Sequence, residues 1–315
     1  MTAIGMCFDR TLPPALVAPT ARRLEDGGAD QLWVIEDCFF TAAPSLAATA
    51  LAVTDRLVVG LGILPAVART AAVTAMELAT LCELAPGRPL PGLGHGVQAW
   101  MGQMGVRPTS PLRCLEEVLD AVGRLLAGET VTADGTYVHL DAVRLERPPT
   151  DVPPLLAGVR GPRSLELAGR AAGGVVLAEP ASPSFVRWAL QTAGRPDPFH
   201  VAVFAPLCVE ADPADAYRRV APWLAARIDD ATPEVLGLPF YDDMAAAYRD
   251  GGADALARMP SDHWTEIGPI GRMDDAATHL EALAAVGVHS VGLFPIADDV
   301  PGKARVDDVL ELARR

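Results

Sequence analysis

The chain alternates between short apolar runs and longer amphipathic, alanine-rich runs along its whole length. Short runs of aliphatic and β-branched residues predict buried strands, and runs whose apolar residues recur with helical spacing predict helices. The predicted strands cover 3–8, 31–35, 56–63, the glycine-rich stretch from 88, 153–158, 173–179, 199–211 and 288–296. The predicted helices cover 12–28, 44–53, 69–85, 110–128, 163–172, 184–193, 213–226 and 274–287, with a closing helix that ends at Arg315.

Two segments depart from this alternation. Residues 128–146 alternate in the manner of strands around Asp134–Gly135, which predicts a β-hairpin. Residues 229–272 are polar and interrupted by proline and glycine, and they predict a lid-like insertion over the mouth of the fold. Both segments are therefore expected to be additions to a regular βα framework.

Eight strands that are each followed by a helix or an insertion predict an α/β fold, the TIM (β/α)8 barrel. The near-continuous apolar character of the strands fits a parallel sheet that is covered on both faces. An open, doubly wound sheet is the alternative. Because no low-complexity linker divides the chain, we expect one domain over residues 1–315.

Composition and charge narrow the function classes. The chain carries 40 acidic and 26 basic residues, a net charge of −14, which argues against nucleic acid or anionic lipid as a partner. It has neither a long uncharged apolar stretch nor a signal-peptide pattern, so we expect no membrane association and a cytoplasmic location. Its five cysteines are scattered without a CxxC spacing, so neither a disulfide framework nor a metal site is expected.

The stretch RPLPGLGHGVQAW at 88–100 places Gly92, Gly94 and Gly96 at every second position. A dinucleotide fingerprint would need its third glycine at Val97, directly after the first strand of the fold, so that interpretation fails. In a barrel the stretch ends the fourth strand, on the face that carries active sites. Glycine allows a ligand to approach the backbone closely there, the alternative being a tight turn that needs glycine for packing alone.

Three segments together resemble the bacterial-luciferase-like oxidoreductases, and most closely the branch that uses the deazaflavin coenzyme F420, such as methylene-tetrahydromethanopterin reductase. They are GLGILPAVART at 60–70, MELATLCELAPGRPLPGLGHG at 76–96 and PPLLAGVRGPRSLELAGRAAGGVVLAE at 153–179. The resemblance implies a TIM barrel that binds F420, or FMN as the alternative, at the carboxyl ends of its strands. We also expect a small-molecule substrate, a homodimer and a separate enzyme that reduces the cofactor.

The same resemblance implies a set of cofactor-binding residues. A cis peptide between Gly62 and Ile63 would lie against the ring, and the loop at 157–164 would bind the phosphate, because N–H groups at a helix start attract anions. Arg69 is a further candidate for the anionic tail. The complete cofactor set is Gly60, Gly62, Ile63, Gly94, His95, Gly96, Gly158, Val159, Arg160, Gly161 and Glu179.

The chain departs from its relatives at two positions. Cys38 stands where alcohol and sugar-phosphate dehydrogenases of the family have a histidine, and Val97 stands where they have a glutamate. Loss of this acid–base pair favours the reductive direction, which needs a hydride donor and a proton source. The candidate catalytic residues are His95, Asp37, Glu36 and Cys38, and strand alternation suggests that only one of Glu36 and Asp37 faces the pocket.

The sequence therefore predicts a reductase that uses reduced F420 to deliver a hydride to a C=C or C=N bond of a small organic substrate. One alternative is a two-component monooxygenase that uses FMNH2. The other is a non-catalytic barrel that binds a cofactor or ligand.

Overall fold

The computed structural model describes residues 2–194, 197–296 and 304–315. Eight parallel strands follow one another around a closed barrel, which a pairing between the sixth and the seventh of them completes, so the predicted TIM barrel is confirmed. These strands are β1 (Ala3–Phe8), β2 (Gln31–Val34), β3 (Val58–Pro65), β4 (Pro89–Gly94), β7 (Leu156–Gly158), β8 (Gly174–Leu177), β9 (His200–Val209) and β11 (Ser290–Pro295).

Helices surround the barrel, and their starts follow sequence signals. Ser110 caps one helix by accepting a hydrogen bond from the backbone N–H of Arg113, and Pro111 is its first residue. None of the helices in the described part of the chain is long and apolar enough to cross a bilayer. The helices are α1 (Val17–Gly27), α2 (Ala43–Ala52), α3 (Ala71–Leu84), α4 (Gln98–Gln103), α5 (Pro111–Leu126), α6 (Pro162–Ala171), α7 (Pro183–Thr192), α8 (Pro213–Asp230), α9 (Pro233–Leu236), α10 (Tyr241–Leu256), α11 (Ser261–Ile267), α12 (Met273–Ala285) and α13 (Ala304–Ala313).

Two prolines in β4 leave the barrel hydrogen bonding intact. The backbone N–H of Val59 donates to the carbonyl oxygen of Arg88. The even-numbered residues of β4 therefore direct their backbone N–H and C=O groups towards β3. The backbone positions of Pro89 and Pro91 are directed towards β7, but β7 begins only opposite Gly92. No described strand pairs with β4 on that side at the two prolines, so the N–H groups that proline lacks are not required there.

Aromatic side chains fill the inside of the barrel as a column. The ring of Phe204 lies edge-on to Trp33 with 5.2 Å between ring centroids, and edge-on to Phe294 at 5.7 Å. A β-carbon at Gly60 would lie 2.2 Å from Trp33, and one at Gly62 would lie 2.4 Å from Phe204. The β3 glycines thus make room for this column, which forms a solid floor beneath the carboxyl ends of the strands.

Both departures from the βα alternation are folded. The predicted hairpin is confirmed, with β5 (Val131–Asp134) antiparallel to β6 (His139–Val143). The 229–272 segment forms α9, α10 and α11, followed by the short strand β10 (Ile270–Gly271) beside β9. Trp264 of this segment stacks on Tyr217 of α8, at 5.2 Å, within a separate apolar cluster. Its action as a lid stays a prediction.

Candidate active site

A cavity of about 610 Å³ opens at the carboxyl ends of the barrel strands. Its volume lies in the range that holds a drug-sized or cofactor-sized molecule. The cavity has both apolar and polar lining residues. The apolar ones include Ile35, Ile63, Val159, Val176, Phe204 and Phe294. The polar ones are Glu36, Asp37, His95, Gln98, Arg160, Ser164 and Glu179.

Ile63 is the apolar lining residue against which the glycines of the neighbouring strands pack. The Gly62–Ile63 peptide is cis, as the resemblance implies, and the register between β3 and β4 shifts at this point. β-carbons built at Gly94 and Gly158 would meet the Ile63 side chain at 2.9 Å and 2.4 Å. The glycines of β4 and β7 therefore make room for Ile63, a protein side chain, which in turn faces the cavity.

This packing changes the role of two predicted cofactor residues. Gly60 lies beneath Trp33 and Gly94 lies behind Ile63, so neither lines the cavity. Gly62, Gly96 and Gly158 do line it. Of the glycines in the 88–100 stretch, Gly96 is the one with a positive φ, 65°, which glycine adopts without strain.

Glu36 and Asp37 both line the cavity, so the expectation that only one of them faces it is wrong. Strand alternation ends at Val34, and a turn follows in which the N–H of Phe40 donates to the carbonyl of Asp37. Neighbouring side chains can then point to the same side. Side chains alternate between the two faces only within a strand, and the chain leaves β2 before it reaches Glu36 and Asp37.

Glu36 is held by an arginine fork. Both terminal nitrogens of Arg69 donate to its carboxylate, at 2.5 and 2.8 Å, and the N–H of Ala43 at the start of α2 donates to it at 3.0 Å. Arg69 also contacts Glu77 at 2.9 Å. Two carboxylates therefore engage the guanidinium group of Arg69, and its contact with an anionic tail stays a prediction.

Asp37 and Cys38 differ in their access to the cavity. Asp37 lies at the rim, where its carboxylate accepts a hydrogen bond from Arg10 at 2.8 Å. Cys38 is half-buried and lies outside the cavity lining. Burial, with smaller contributions from Glu36 and Asp37, raises the pKa of the Cys38 thiol, which therefore stays protonated.

Two further ion pairs border the cavity. Glu179 accepts a hydrogen bond from Arg227 of α8 at 2.9 Å. Arg160 lies 3.2 Å from Glu234, which is fully buried at the start of α9. Burial raises the pKa of Glu234, and the charge of Arg160 opposes that change. The Arg160–Glu234 contact ties the 229–272 segment to the loop that follows β7.

His95 points away from the aromatic column, towards the starts of two helices. Its Nδ1 atom lies 3.2 Å from the carbonyl oxygen of Pro111, and its Nε2 atom lies 2.9 Å from the Ser164 hydroxyl. Burial lowers the pKa of His95, and the Pro111 contact partly offsets this effect. The neutral imidazole is therefore the form at neutral pH.

The start of α6 adds hydrogen-bond donors to the same wall. Val159, Arg160, Gly161 and Ser164 all line the cavity, and Gly161 precedes the first residue of α6. Pro162, the first residue of α6, has no N–H, and the N–H of Ser164 donates to the carbonyl of Gly161, so the N–H of Arg163 and the helix dipole are what favour an anion there. The sequence missed Ser164, Phe204 and Phe294, because nothing in their local pattern distinguishes them from ordinary helix and strand residues.

Comparisons with known proteins agree with this architecture. The family model described as luciferase-like monooxygenase matches residues 10–290. The 5,10-methylenetetrahydromethanopterin reductase of Methanolobus tindarius is 30% identical over 303 residues, which cover 91% of this chain and 92% of the relative. An F420-dependent glucose-6-phosphate dehydrogenase from Beutenbergia cavernae is 38% identical over 141 residues, 43% of this chain and 41% of that protein.

Solved structures share the fold. The coenzyme F420-dependent tetrahydromethanopterin reductase from Methanopyrus kandleri superposes with a TM-score of 0.80 at 21% identity, over 99% of this chain and 97% of that one. An F420-dependent secondary alcohol dehydrogenase, solved with an F420–acetone adduct, gives 0.78 at 20% identity, over 100% and 99% of the two chains. At these identities the likeness concerns the fold alone.

Proposed function

Since this chain belongs to the luciferase-like monooxygenase family, we propose that it is an oxidoreductase that uses coenzyme F420 to reduce a C=C or C=N bond of a small organic substrate. The observation that carries the proposal is the cavity at the strand ends, which has apolar lining residues over an aromatic floor and polar lining residues that include Arg160 and Ser164 at the start of α6. The full-length similarity to a methylenetetrahydromethanopterin reductase supports F420 as the cofactor.

The residues present fit a deazaflavin. A flat tricyclic ring needs an apolar surface, which Ile63, Phe204 and Phe294 provide. A polar, anionic tail needs donors, which Arg160 and the first turn of α6 provide. The ring would lie beside Ile63, and Gly158, Val159 and Gly161 would follow the tail. When bound, the reduced deazaflavin supplies the hydride.

The side chains around the cavity favour Asp37 as the route for the proton. Glu36 is fixed by Arg69, and Cys38 lies outside the cavity lining. Both ring nitrogens of His95 are engaged, Nδ1 by the carbonyl of Pro111 at the start of α5 and Nε2 by Ser164 of α6. Asp37 lines the cavity and remains partly exposed, and its partner Arg10 is itself exposed, so Asp37 is the carboxylate placed between the cavity and solvent.

The direction of the reaction follows from what the cavity lacks. Cys38 and Val97 stand at the positions where the resemblance implies a histidine and a glutamate for alcohol oxidation. A thiol whose pKa is raised by burial is a poor base, and a valine cannot exchange protons. Reduction is therefore the direction that this set of residues supports.

Cofactor binding tests the proposal. Titration of the purified protein with oxidised F420 is expected to change the absorbance of the deazaflavin, with weaker binding of FMN. Reduced F420 is expected to be oxidised when α,β-unsaturated carbonyl compounds or imines are added. Tight FMN binding with substrate-dependent oxygen uptake would instead establish the two-component monooxygenase. Bound reduced F420 that no unsaturated compound oxidises would favour the non-catalytic barrel.

We propose that a second copy of the chain covers the outer face of α3. This face carries Val73, Met76 and Leu84, which are 43%, 58% and 63% exposed. Beside it, α2 exposes only small side chains at Ser45, Thr49 and Ala52. The two carboxylates of α3, Glu77 and Glu83, are paired with Arg69 and Arg147, so two copies of this face can meet without burying an unpaired charge.

Met76→Glu tests this interface. The wild-type protein is expected to sediment as a dimer, and the substitution is expected to shift it to monomer, because it buries a carboxylate against its own copy. Trp188→Glu is the control and should remain dimeric, because Trp188 is exposed on α7, which packs against α6 and α12. A monomeric wild-type protein would exclude the interface.

We also propose that the protein is located in the cytoplasm and that a separate enzyme reduces its F420.

A further inference from the structure

His95 and Ser164 form a hydrogen-bonded pair on the cavity wall that the proposed reaction does not use. The carbonyl oxygen of Pro111 can only accept, so the Nδ1 atom beside it carries the proton of the neutral ring. Nε2 is then an acceptor, and the Ser164 hydroxyl donates its only hydrogen to it. In this state the pair offers no donor to the cavity.

A second proton on His95 reverses the hydrogen bond. Nε2–H then donates to the oxygen of Ser164, and the hydroxyl hydrogen is free to donate elsewhere. Both residues line the cavity beside Arg160 and Gly161. The protonated pair therefore adds a positive charge and a hydroxyl donor to the N–H groups at the start of α6.

We propose that His95 and Ser164 form a proton-dependent receptor for the phosphodiester in the tail of the cofactor, an assignment that rests on the proposed function. Binding of the anion draws one proton from solvent onto Nε2 of His95. The Ser164 hydroxyl then donates to a phosphodiester oxygen, and no covalent bond forms or breaks. The pair thereby couples cofactor binding to proton uptake.

A bound anion is the negative group available to stabilise the protonated ring of His95. Burial lowers the pKa of His95 in the free protein. The carboxylates among the described residues that border the cavity are already paired with arginines. Arg163 lies exposed in the first turn of α6, beside the site proposed for the anion. The pairs that border the cavity are Glu36–Arg69, Asp37–Arg10, Glu179–Arg227 and Glu234–Arg160, and those on α5 and α6 are Arg113–Glu117 and Arg170–Glu116.

Two ligands separate this effect from titration of the cofactor itself. Oxidised F420 and its phosphate-free deazaflavin nucleoside share the ring and its hydroxyl group, so titration of the ring is common to both. The affinity for F420 relative to the nucleoside is expected to fall as the pH rises from about 6 to about 8, by up to about tenfold for a rise of one unit in the pKa of His95 on binding. Calorimetry in buffers of different ionisation enthalpy should show additional proton uptake for F420 alone, about half a proton at most for a pKa rise of one unit.

Two substitutions locate the proton. His95→Gln presents an uncharged N–H to Ser164, so the difference between the ligands should lose its pH dependence while nucleoside affinity is retained. Ser164→Ala keeps the titrating ring, so F420 should bind more weakly with proton uptake preserved. The comparison of the two ligands also works in the wild-type protein alone. If the wild-type protein takes up equal numbers of protons with both ligands, the proton-dependent receptor is wrong and the proposed function is unaffected. If neither ligand binds, both the receptor and the proposed function are wrong.

Discussion

Gly158→Ala is expected to weaken deazaflavin binding by about tenfold to a hundredfold, or about 1–3 kcal/mol, while the barrel still folds. The new β-carbon would lie 2.4 Å from Cγ2 of Ile63, and the Ile63 side chain already contacts the backbone at Gly94. Ile63 can yield only towards the cavity, into the space proposed for the ring. Cofactor affinity, measured by absorbance titration, is the direct test.

The matched control is Gly123→Ala in α5, where a β-carbon has no neighbour closer than 3.8 Å. This variant should bind the cofactor as the wild-type protein does. Ile63→Ala removes the atom that clashes, so Gly158→Ala should cost little further affinity in an Ile63→Ala background. If the two substitutions weaken binding independently, Ile63 does not transmit the clash and the proposed place of the ring is wrong.

Acidification from about pH 6.5 to about pH 4 is expected to lower the free energy of unfolding by about 3 kcal/mol for each of two buried histidines, His200 and His279. Burial lowers the pKa of each to about 4 from 6.5, and the neighbouring ring of His289 adds to the effect on His200. Between these values the unfolded chain binds more protons than the native protein. Stability is therefore complete above about pH 6.5 and falls as the pH approaches about 4.

The contacts of the two rings explain why neither is easily protonated. His200 lies 2.9 Å from the Ser290 hydroxyl within the barrel and stacks on His289 at 5.1 Å. His279 is fully buried, and its Nδ1–H donates to the carbonyl of Thr265 at 2.6 Å. Its Nε2 atom has no hydrogen-bond partner among the described residues, so a proton there would be a buried, unsolvated charge.

Urea unfolding at about pH 7.5, 5.5 and 4.5 measures this loss, which is a large share of the roughly 5–15 kcal/mol typical of a folded domain. His200→Gln and His279→Asn retain a hydrogen-bonding amide at the position of the engaged nitrogen but do not titrate. The double variant should show a much shallower decline with acid than the wild-type protein. Equal declines in the two proteins would show that other groups cause the acid sensitivity.

The barrel was readable from the sequence because its signals are local. Each strand is a short aliphatic run, and each helix has its own apolar spacing and, at Ser110–Pro111, its own start signal. The hairpin around Asp134–Gly135 was equally local. These features depend on neighbours within a few residues, so the chain itself determines them.

The candidate site was readable only in part. Sequence reasoning selected Asp37, His95 and Arg160, which all line the cavity, but it could not give their partners. Arg69 donates hydrogen bonds to Glu36, which lies 33 residues away in the sequence, and Ser164 is hydrogen-bonded to His95, which lies 69 residues away. Such contacts depend on which loops the barrel brings together, and they decide which groups are occupied and which are free.

The glycines of the 88–100 stretch separate the two kinds of information. The sequence by itself determined that the backbone there must be closely approached, because glycine alone leaves such room. Only the tertiary structure decided that Ile63, from the neighbouring strand, fills that room at Gly92 and Gly94. The reason is physical: a missing side chain specifies a space, whereas the packing of distant segments specifies what occupies it.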